Sequence, residues 1–325
     1  MKNYFACIAI PIWLLLGSAN AQVPAPEYPT KPVVAILAAA PGSSSDKEAR
    51  LYFAKMGDLM GQPFLMDFKP GAGGTVGSAF VAKARPDGHT LLMVSGTFST
   101  FSAVYKDLSF DPLRDFAPIS LMSQRTSVFL VNAAFPATSF AEYIAYALAN
   151  PGKINFASPG AGSVTHLAGA WIHTATKSKV TFVHYKGASA LTLDLVTGRV
   201  HAAPLGLLSV MPLIKSGKLR VLAVMKRQRS PLLPGVPTIA EKDIPGYEYS
   251  AWLGFSAPAG TPTPVISKLS ENFAKVAKAP DVISAMEAEG SVMVGSSPAQ
   301  FRQHIQHETE RWQRVIQQAD IKLEE

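Results

Sequence analysis

The chain has 325 residues, 48% of them hydrophobic and only 16% charged. That composition excludes a disordered protein and supplies a large core, or two linked domains of about 100–200 residues each. The 30 Lys and Arg outnumber the 23 Asp and Glu, but the densest cluster, Lys226-Arg227-Gln228-Arg229, falls in an expected loop and no basic stripe carries interleaved aromatics, so a nucleic-acid partner is not indicated.

Residues 1–21 read as a cleavable export signal. Lys2 is the positive start, Tyr4 to Leu16 is an uncharged apolar run, and Ala19-Asn20-Ala21 forms a small-x-small cleavage site before Gln22. The apolar run is shorter than the about 20 residues of a membrane span, and Pro11 interrupts it. A lipoprotein would need cysteine where Gln22 stands. The sole cysteine, Cys7, lies inside the signal, so the mature chain has no disulfide, thiol nucleophile or cysteine metal site. Periplasmic residence is expected.

After a Pro-rich start, Val33 to Ala39 is predicted as a buried strand. Pro41-Gly42-Ser43-Ser44-Ser45-Asp46 makes a turn, and Lys47 to Met60 a helix with Ala49, Phe53, Met56 and Met60 on one face. The pattern repeats with a strand at Phe64 to Phe68, a glycine turn and a helix from Val76 to Ala84. Thr90 to Ser95 is the next strand. Ile119 to Val131 leads into a second α/β unit. Its helices are predicted at Ser139 to Ala149, Val164 to Thr174 and Ala188 to Thr197, and its strands at Ile154 to Ala157, Val180 to His184, Val200 to Leu205 and Arg220 to Val224. Ser230 to Thr238 and Ala257 to Pro264 read as Pro- and Gly-rich connections. Val265 to Ala277 and Pro298 to Ala319 are helices, the last with Phe301, Ile305, Trp312 and Ile316 facing inward. Alternating strands and helices predict largely parallel sheets that bind ligands at the strand C-termini. The C-terminal helices lack companion strands and are expected to cover the first unit. The expected boundaries are 22–126 and 249–325 for one domain and 127–248 for the other.

Two turns carry the chemistry. Pro70-Gly71-Ala72-Gly73-Gly74-Thr75 and Pro159-Gly160-Ala161-Gly162-Ser163 each join a strand to a helix. Glycine admits close approach to a ligand, and the helix start behind it presents unpaired N–H groups and partial positive charge. Two such turns, one per unit, predict a cleft with a donor-rich lip on each side and an anionic solute between them.

The motifs resemble one family throughout: Tyr28-Pro29-x-Lys31-Pro32, Pro41-Gly42-x-x-x-Asp46-x-x-Ala49-Arg50, Ala84-x-Pro86-Asp87-Gly88-x-Thr90-Leu91, Ser158-x-Gly160-x-Gly162-Ser163-x-x-His166-Leu167, Tyr185-Lys186-Gly187 with Asp194, and Ala257-Pro258-Ala259-Gly260-Thr261-Pro262. This is similar to the Bug-type extracytoplasmic solute receptors of tripartite tricarboxylate transporters. The resemblance implies an α/β, two-domain periplasmic-binding-protein-like (type II) fold with a hinged cleft. It also implies capture of a small organic anion, delivery to a membrane permease, a monomer, no cofactor or metal and no catalysis. Its binding loops map onto Pro41, Gly42, Ser43, Ser44 and Asp46; Gly71, Ala72, Gly73 and Gly74; Ser95 and Thr97; Ser158, Gly160, Ala161, Gly162 and Ser163; and Tyr185 and Lys186, with Asp194 nearby. The family's usual second glycine in the first loop is replaced by Ser43.

Single residues admit plainer roles. Asp46 is either a ligand contact or a helix cap. Ser163 reads as a ligand contact, His166 as a buried, satisfied histidine, Asp194 as a partner of a backbone N–H, and Tyr185 as a group stacking over the ligand. Arg50 reads as an ion-pair residue, and His304 with His307 as a solvated face. A secreted α/β hydrolase using Ser163 and His166, three apart on one helix, is the alternative, but neither an orienting acid nor an oxyanion hole has a motif here. N-terminal sequencing of the exported protein should begin at Gln22; a start at Met1 would refute the signal assignment.

Overall fold

The computed structural model describes residues 27–318, apart from Ala40, Gly42, Ser43, Lys186 and Glu289. The signal segment and the predicted site residues Gly42, Ser43 and Lys186 therefore lie outside the described residues. The first passage of the chain forms β1 (Val33–Leu37), α1 (Ser44–Met60), β2 (Phe64–Phe68), α2 (Thr75–Ala82), β3 (Thr90–Ser95), α3 (Phe101–Val104) and β4 (Phe116–Arg125). The second forms β5 (Ser127–Asn132), α4 (Phe140–Ala149), β6 (Asn155–Ser158), α5 (Val164–Ala175), β7 (Thr181–His184), α6 (Ala188–Thr197), β8 (Ala202–Gly206), α7 (Leu207–Lys215), β9 (Leu219–Val224) and α8 (Ile239–Lys242). The return passage adds β10 (Ala251–Pro258), α9 (Thr263–Ala277), α10 (Pro280–Ala288), β11 (Ser291–Met293) and α11 (Pro298–Gln318).

The strands build two sheets, ordered β11-β4-β10-β3-β1-β2 and β7-β6-β8-β5-β9. In each sheet a strand–helix–strand–helix–strand unit is parallel: β1 pairs with β2 and β3, and β6 pairs with β7 and β8. The expectation of largely parallel sheets needs correction beyond these units. β10 is antiparallel to β3 and β4, and β5 is antiparallel to β8 and β9. Neither β5 nor β10 follows a helical crossover within its own sheet. β5 comes straight from β4 through Thr126, and β10 re-enters from the second sheet, so the rule that makes crossover strands parallel does not apply to them.

Each sheet is covered on both faces. Along β1, Val33, Ala35 and Leu37 pack with α1, α9 and α10, whereas Ile36 joins Val81, Phe101 and Phe301 on the other face, as the two-residue strand period requires. In α1 the buried stripe is Ala49, Tyr52, Phe53 and Met56. A second correction concerns α11. Phe301 and Ile305 pack on the first sheet, but Trp312 and Val315 enter the core of the second. The helix bridges both lobes because it is 21 residues long, about 31 Å at 1.5 Å per residue.

The two strand crossings lie side by side. Ala251 is in register with Arg125, and the Ser250 hydroxyl donates to the Arg125 carbonyl at 3.2 Å. Arg125 is ion-paired at 3.4 Å with the buried Glu48 of α1, whose carboxylate also accepts from Ser123 at 2.7 Å and Tyr52 at 3.2 Å. A buried carboxylate with two hydroxyl donors and a cation beside it ties α1 to the end of β4. Beside it, Gly254 has no room for a side chain: a Cβ would lie 2.4 Å from the Phe301 ring and 2.6 Å from the Ser120 carbonyl oxygen. Gly254→Ala should therefore destabilise the fold by about 1–3 kcal/mol in urea unfolding, and an unchanged midpoint would contradict this packing.

Candidate functional site

The pocket of the first lobe opens at the C-terminal ends of β1 and β3. Its cavity volume is small, about 50 Å³, and it opens to solvent. Its apolar wall is Leu37, Met93, Val94, Phe98, Phe101 and Leu253, and its polar edge is Ser45, Gly73, Gly74, Ser78 and Ser95. No cationic side chain lines it among the described residues. The starts of α1 and α2 lie at this pocket, Ser45 in the first turn of α1 and Gly74 directly before α2. First-turn N–H groups lack intrahelical acceptors and carry the positive end of the helix dipole, so the polar edge favours an anion.

The glycine turn that delivers α2 depends on four successive positive φ angles: Gly71 138°, Ala72 43°, Gly73 64° and Gly74 108°. Glycine takes these without steric cost. Ala72, the exception, is held by two hydroxyls on its carbonyl, those of Thr75 and Tyr105, each at 3.0 Å. One turn later Gly77 lets α2 approach β1, since a Cβ there would lie 3.0 Å from the Lys69 carbonyl oxygen and 3.1 Å from Ala38 Cβ.

Of the sequence-predicted residues of this lobe, Gly73, Gly74 and Ser95 line the pocket. Gly71 and Ala72 shape the turn without lining it. Pro41 is exposed, and Ser44 opens α1. Asp46 is buried in the first turn of α1 and ion-paired with Arg50 at 2.8 Å, which accounts for both residues. Thr97 is half-buried, and its carbonyl accepts from the Thr100 hydroxyl. Sequence reasoning missed Phe98, Phe101 and Leu253. Leu253 comes from β10, a strand that had no clear alternation to announce it.

The second lobe's glycine turn is tied down internally. Ser163 caps α5: its Oγ accepts from the His166 N–H at 3.2 Å and donates to the Gly160 carbonyl at 2.7 Å. Buried Ser158 also reaches the Gly160 carbonyl, at 3.2 Å, and His184 Nδ1 at 2.8 Å. None of Ser158, Gly160, Ala161, Gly162 or Ser163 lines the first-lobe pocket. Instead the turn touches the first lobe. Thr100 Oγ1 donates to the Gly162 carbonyl at 3.4 Å, a Cβ on Gly162 would lie 2.7 Å from Val104, and Val164 packs at Gly96. Tyr185, half-buried, donates to Asp194 at 2.8 Å, and Arg199 holds the other carboxylate oxygen at 3.0 Å. The Tyr185 hydrogen bond and Arg199 hold the Asp194 carboxyl below its ordinary range. Asp194 thus serves a side-chain hydroxyl, where a backbone N–H was expected. His304 also departs from expectation: its ring is largely buried and edge-on to Trp252, centroids 5.0 Å apart, so only His307 is on a solvated face.

The sequence profile of the tripartite tricarboxylate transporter family receptor matches residues 49–321. The chain belongs to this family. The receptor is 31% identical over 316 residues to protein BugT of Bordetella pertussis, covering 97% of each chain. It is 36% identical over 290 residues to a UPF0065 protein in the tcbD–tcbE intergenic region of Pseudomonas sp. (strain P51), covering 89% of this chain and 86% of the relative. Among solved structures it is similar to an R. palustris protein with adipate, at TM-score 0.84, 32% identity and coverage of 90% and 99% of the two chains. It is likewise similar to MatC from Rhodopseudomonas palustris with bound malate, at TM-score 0.82, 30% identity and coverage of 89% and 100%. The receptor thus has the two-lobed periplasmic-binding fold.

The hydrolase alternative finds no dyad in the receptor. The imidazole of His166 accepts from the Gly162 N–H at 3.1 Å, and the Ser163 hydroxyl donates to a carbonyl, so no ring nitrogen stands ready to take the serine proton. No group of three or more metal-ligating side chains exists among the described residues. Gly74→Ala should lower the melting temperature, because φ of 108° is costly for alanine and the new Cβ would lie 3.3 Å from Ala38. It should also weaken solute binding, read by calorimetry; wild-type affinity would show that this turn does not shape the site.

Proposed function

We propose that this chain is a periplasmic receptor that captures a small carboxylate-bearing solute by lobe closure and delivers it to a tripartite tricarboxylate permease. One lobe comprises residues 22–126 and 249–325, the other 127–248, and the protein acts as a monomer without cofactor. The observation that carries the reading is the first-lobe pocket, whose polar edge is built from two helix starts and serine hydroxyls over an apolar wall. Such an edge recognises a carboxylate through backbone N–H groups, and the wall from Leu37 to Phe101 accommodates the carbon skeleton. Relatives with adipate and malate bound support the class. The solute is accordingly a di- or tricarboxylate, an aromatic carboxylate or an acidic amino acid. The second-lobe turn, with Tyr185 at its side, closes the cleft from above.

A thermal-shift screen of residues 22–325 against small carboxylates and their amides tests this. A ligand at about 100 times its dissociation constant adds about 2.7 kcal/mol of stability. Stabilisation by an acid but not by its amide is the expected result. Stabilisation by amides or nucleosides alone would overturn the carboxylate assignment.

A further inference from the structure

We infer that His166 is a positioning residue for solute capture: its neutral imidazole locks the Gly160–Ser163 turn in the shape that meets the first lobe. The inference rests on the proposed reading of that turn as the second lip of the cleft.

The geometry is a variant of the helix capping box. In the ordinary box, the N-cap hydroxyl accepts from the N–H three residues on, and the side chain three residues on reaches back to a free N–H of the turn. Here Ser163 is the N-cap and accepts from the His166 N–H at 3.2 Å. The returning acceptor is an imidazole: His166 Nδ1 accepts from Gly162, one residue before the cap, at 3.1 Å. The Ser163 N–H, which glutamate or glutamine would ordinarily take, instead reaches the Gly160 carbonyl at 3.3 Å. Every donor of the turn's second half is thereby committed within the lobe.

Only one form of the ring serves. An acceptor at Nδ1 requires neutral imidazole with its proton on Nε2. His166 is buried, and burial followed by the charge of His184 pushes it down to about 4, so it stays neutral at ordinary pH. The groups packed on the ring are His184 and Phe182 of β7, with centroids 4.6 and 4.8 Å away, and the Gly162 peptide; His184 is the titratable one among them. The residue whose N–H is held is also the one whose carbonyl faces the other lobe. Gly162 has φ 69°, its N–H is held by His166, and its carbonyl receives the Thr100 hydroxyl of the first lobe at 3.4 Å. A turn free to rotate would lose that meeting point and pay an ordering cost on closure.

Two substitutions separate positioning from packing. His166→Phe keeps a ring against His184 and Phe182 but removes the acceptor. His166→Asn gives up ring packing but offers an oxygen near the Nδ1 position. Affinities for adipate and malate at pH 7 are measured by calorimetry, with melting temperatures recorded in parallel. The expected result is about a tenfold loss of affinity in H166F, the scale of a buried donor left unpaired, and substantial recovery in H166N despite its lower melting temperature. Affinity that instead follows melting temperature across the two variants would overturn the inference. If wild-type protein binds neither acid, its solute is another member of the proposed class or the carboxylate reading fails, which the thermal-shift screen decides separately, and the lock is read by NMR: a ring proton on Nε2 and slow exchange of the Gly162 amide in wild type, fast in H166F. A proton on Nδ1, or equal exchange rates, would refute it.

Discussion

The chain passes between its two sheets at Arg125–Ser127 and again at Tyr249–Ala251, and these passages are paired to each other. Because Arg125 and Ala251 share a register and the Ser250 hydroxyl holds the Arg125 carbonyl, the lobes are joined by a narrow two-strand strap. The buried Glu48 fastens the first-lobe end of that strap through Arg125, Ser123 and Tyr52. The parallel units of both sheets present their strand ends at the cleft, and the antiparallel strands β5 and β10 are the ones the strap continues.

Helix α11 limits how that strap bends. Its first half packs on the first sheet through Phe301 and Ile305, and its second half enters the other core through Trp312 and Val315. Between them, Glu308 is buried beside the indoles of Trp252 and Trp312 and paired with Arg311 at 2.8 Å. Burial pushes the Glu308 carboxyl upward against the pull of Arg311. A helix sharing its apolar face between two cores ties them together.

The two glycine turns look alike in sequence and do different work. Gly71–Gly74 uses positive φ to set the start of α2 against β1 and open a pocket floored by apolar side chains. Gly160–Ser163 is closed on itself by Ser158, Ser163 and His166, and presents a preset edge to Thr100 and Val104. On the proposed reading, one lobe would hold the cavity and the other supply a preset lip, a division that would lower the ordering cost of closure.

Much of this was legible in the chain. Short apolar runs bounded by turn signals placed Phe64–Phe68 and Thr90–Ser95, the 3.6-residue stripe of Ala49, Phe53 and Met56 placed α1, and the motif order identified the family. Glycine spacing located both turns, because only glycine tolerates the backbone they need. What it withheld depended on partners distant in sequence. Leu253 joins the pocket only through the pairing of β10 with β3, the Ser163 hydroxyl meets the Gly160 carbonyl and the His166 N–H only once the turn has folded, and Trp312 crossed to the other core because α11 outreached one lobe. Local propensity and pattern are properties of neighbouring residues, whereas the strap, the pocket wall and the bridging helix arise from contacts among segments that only the folded chain brings together.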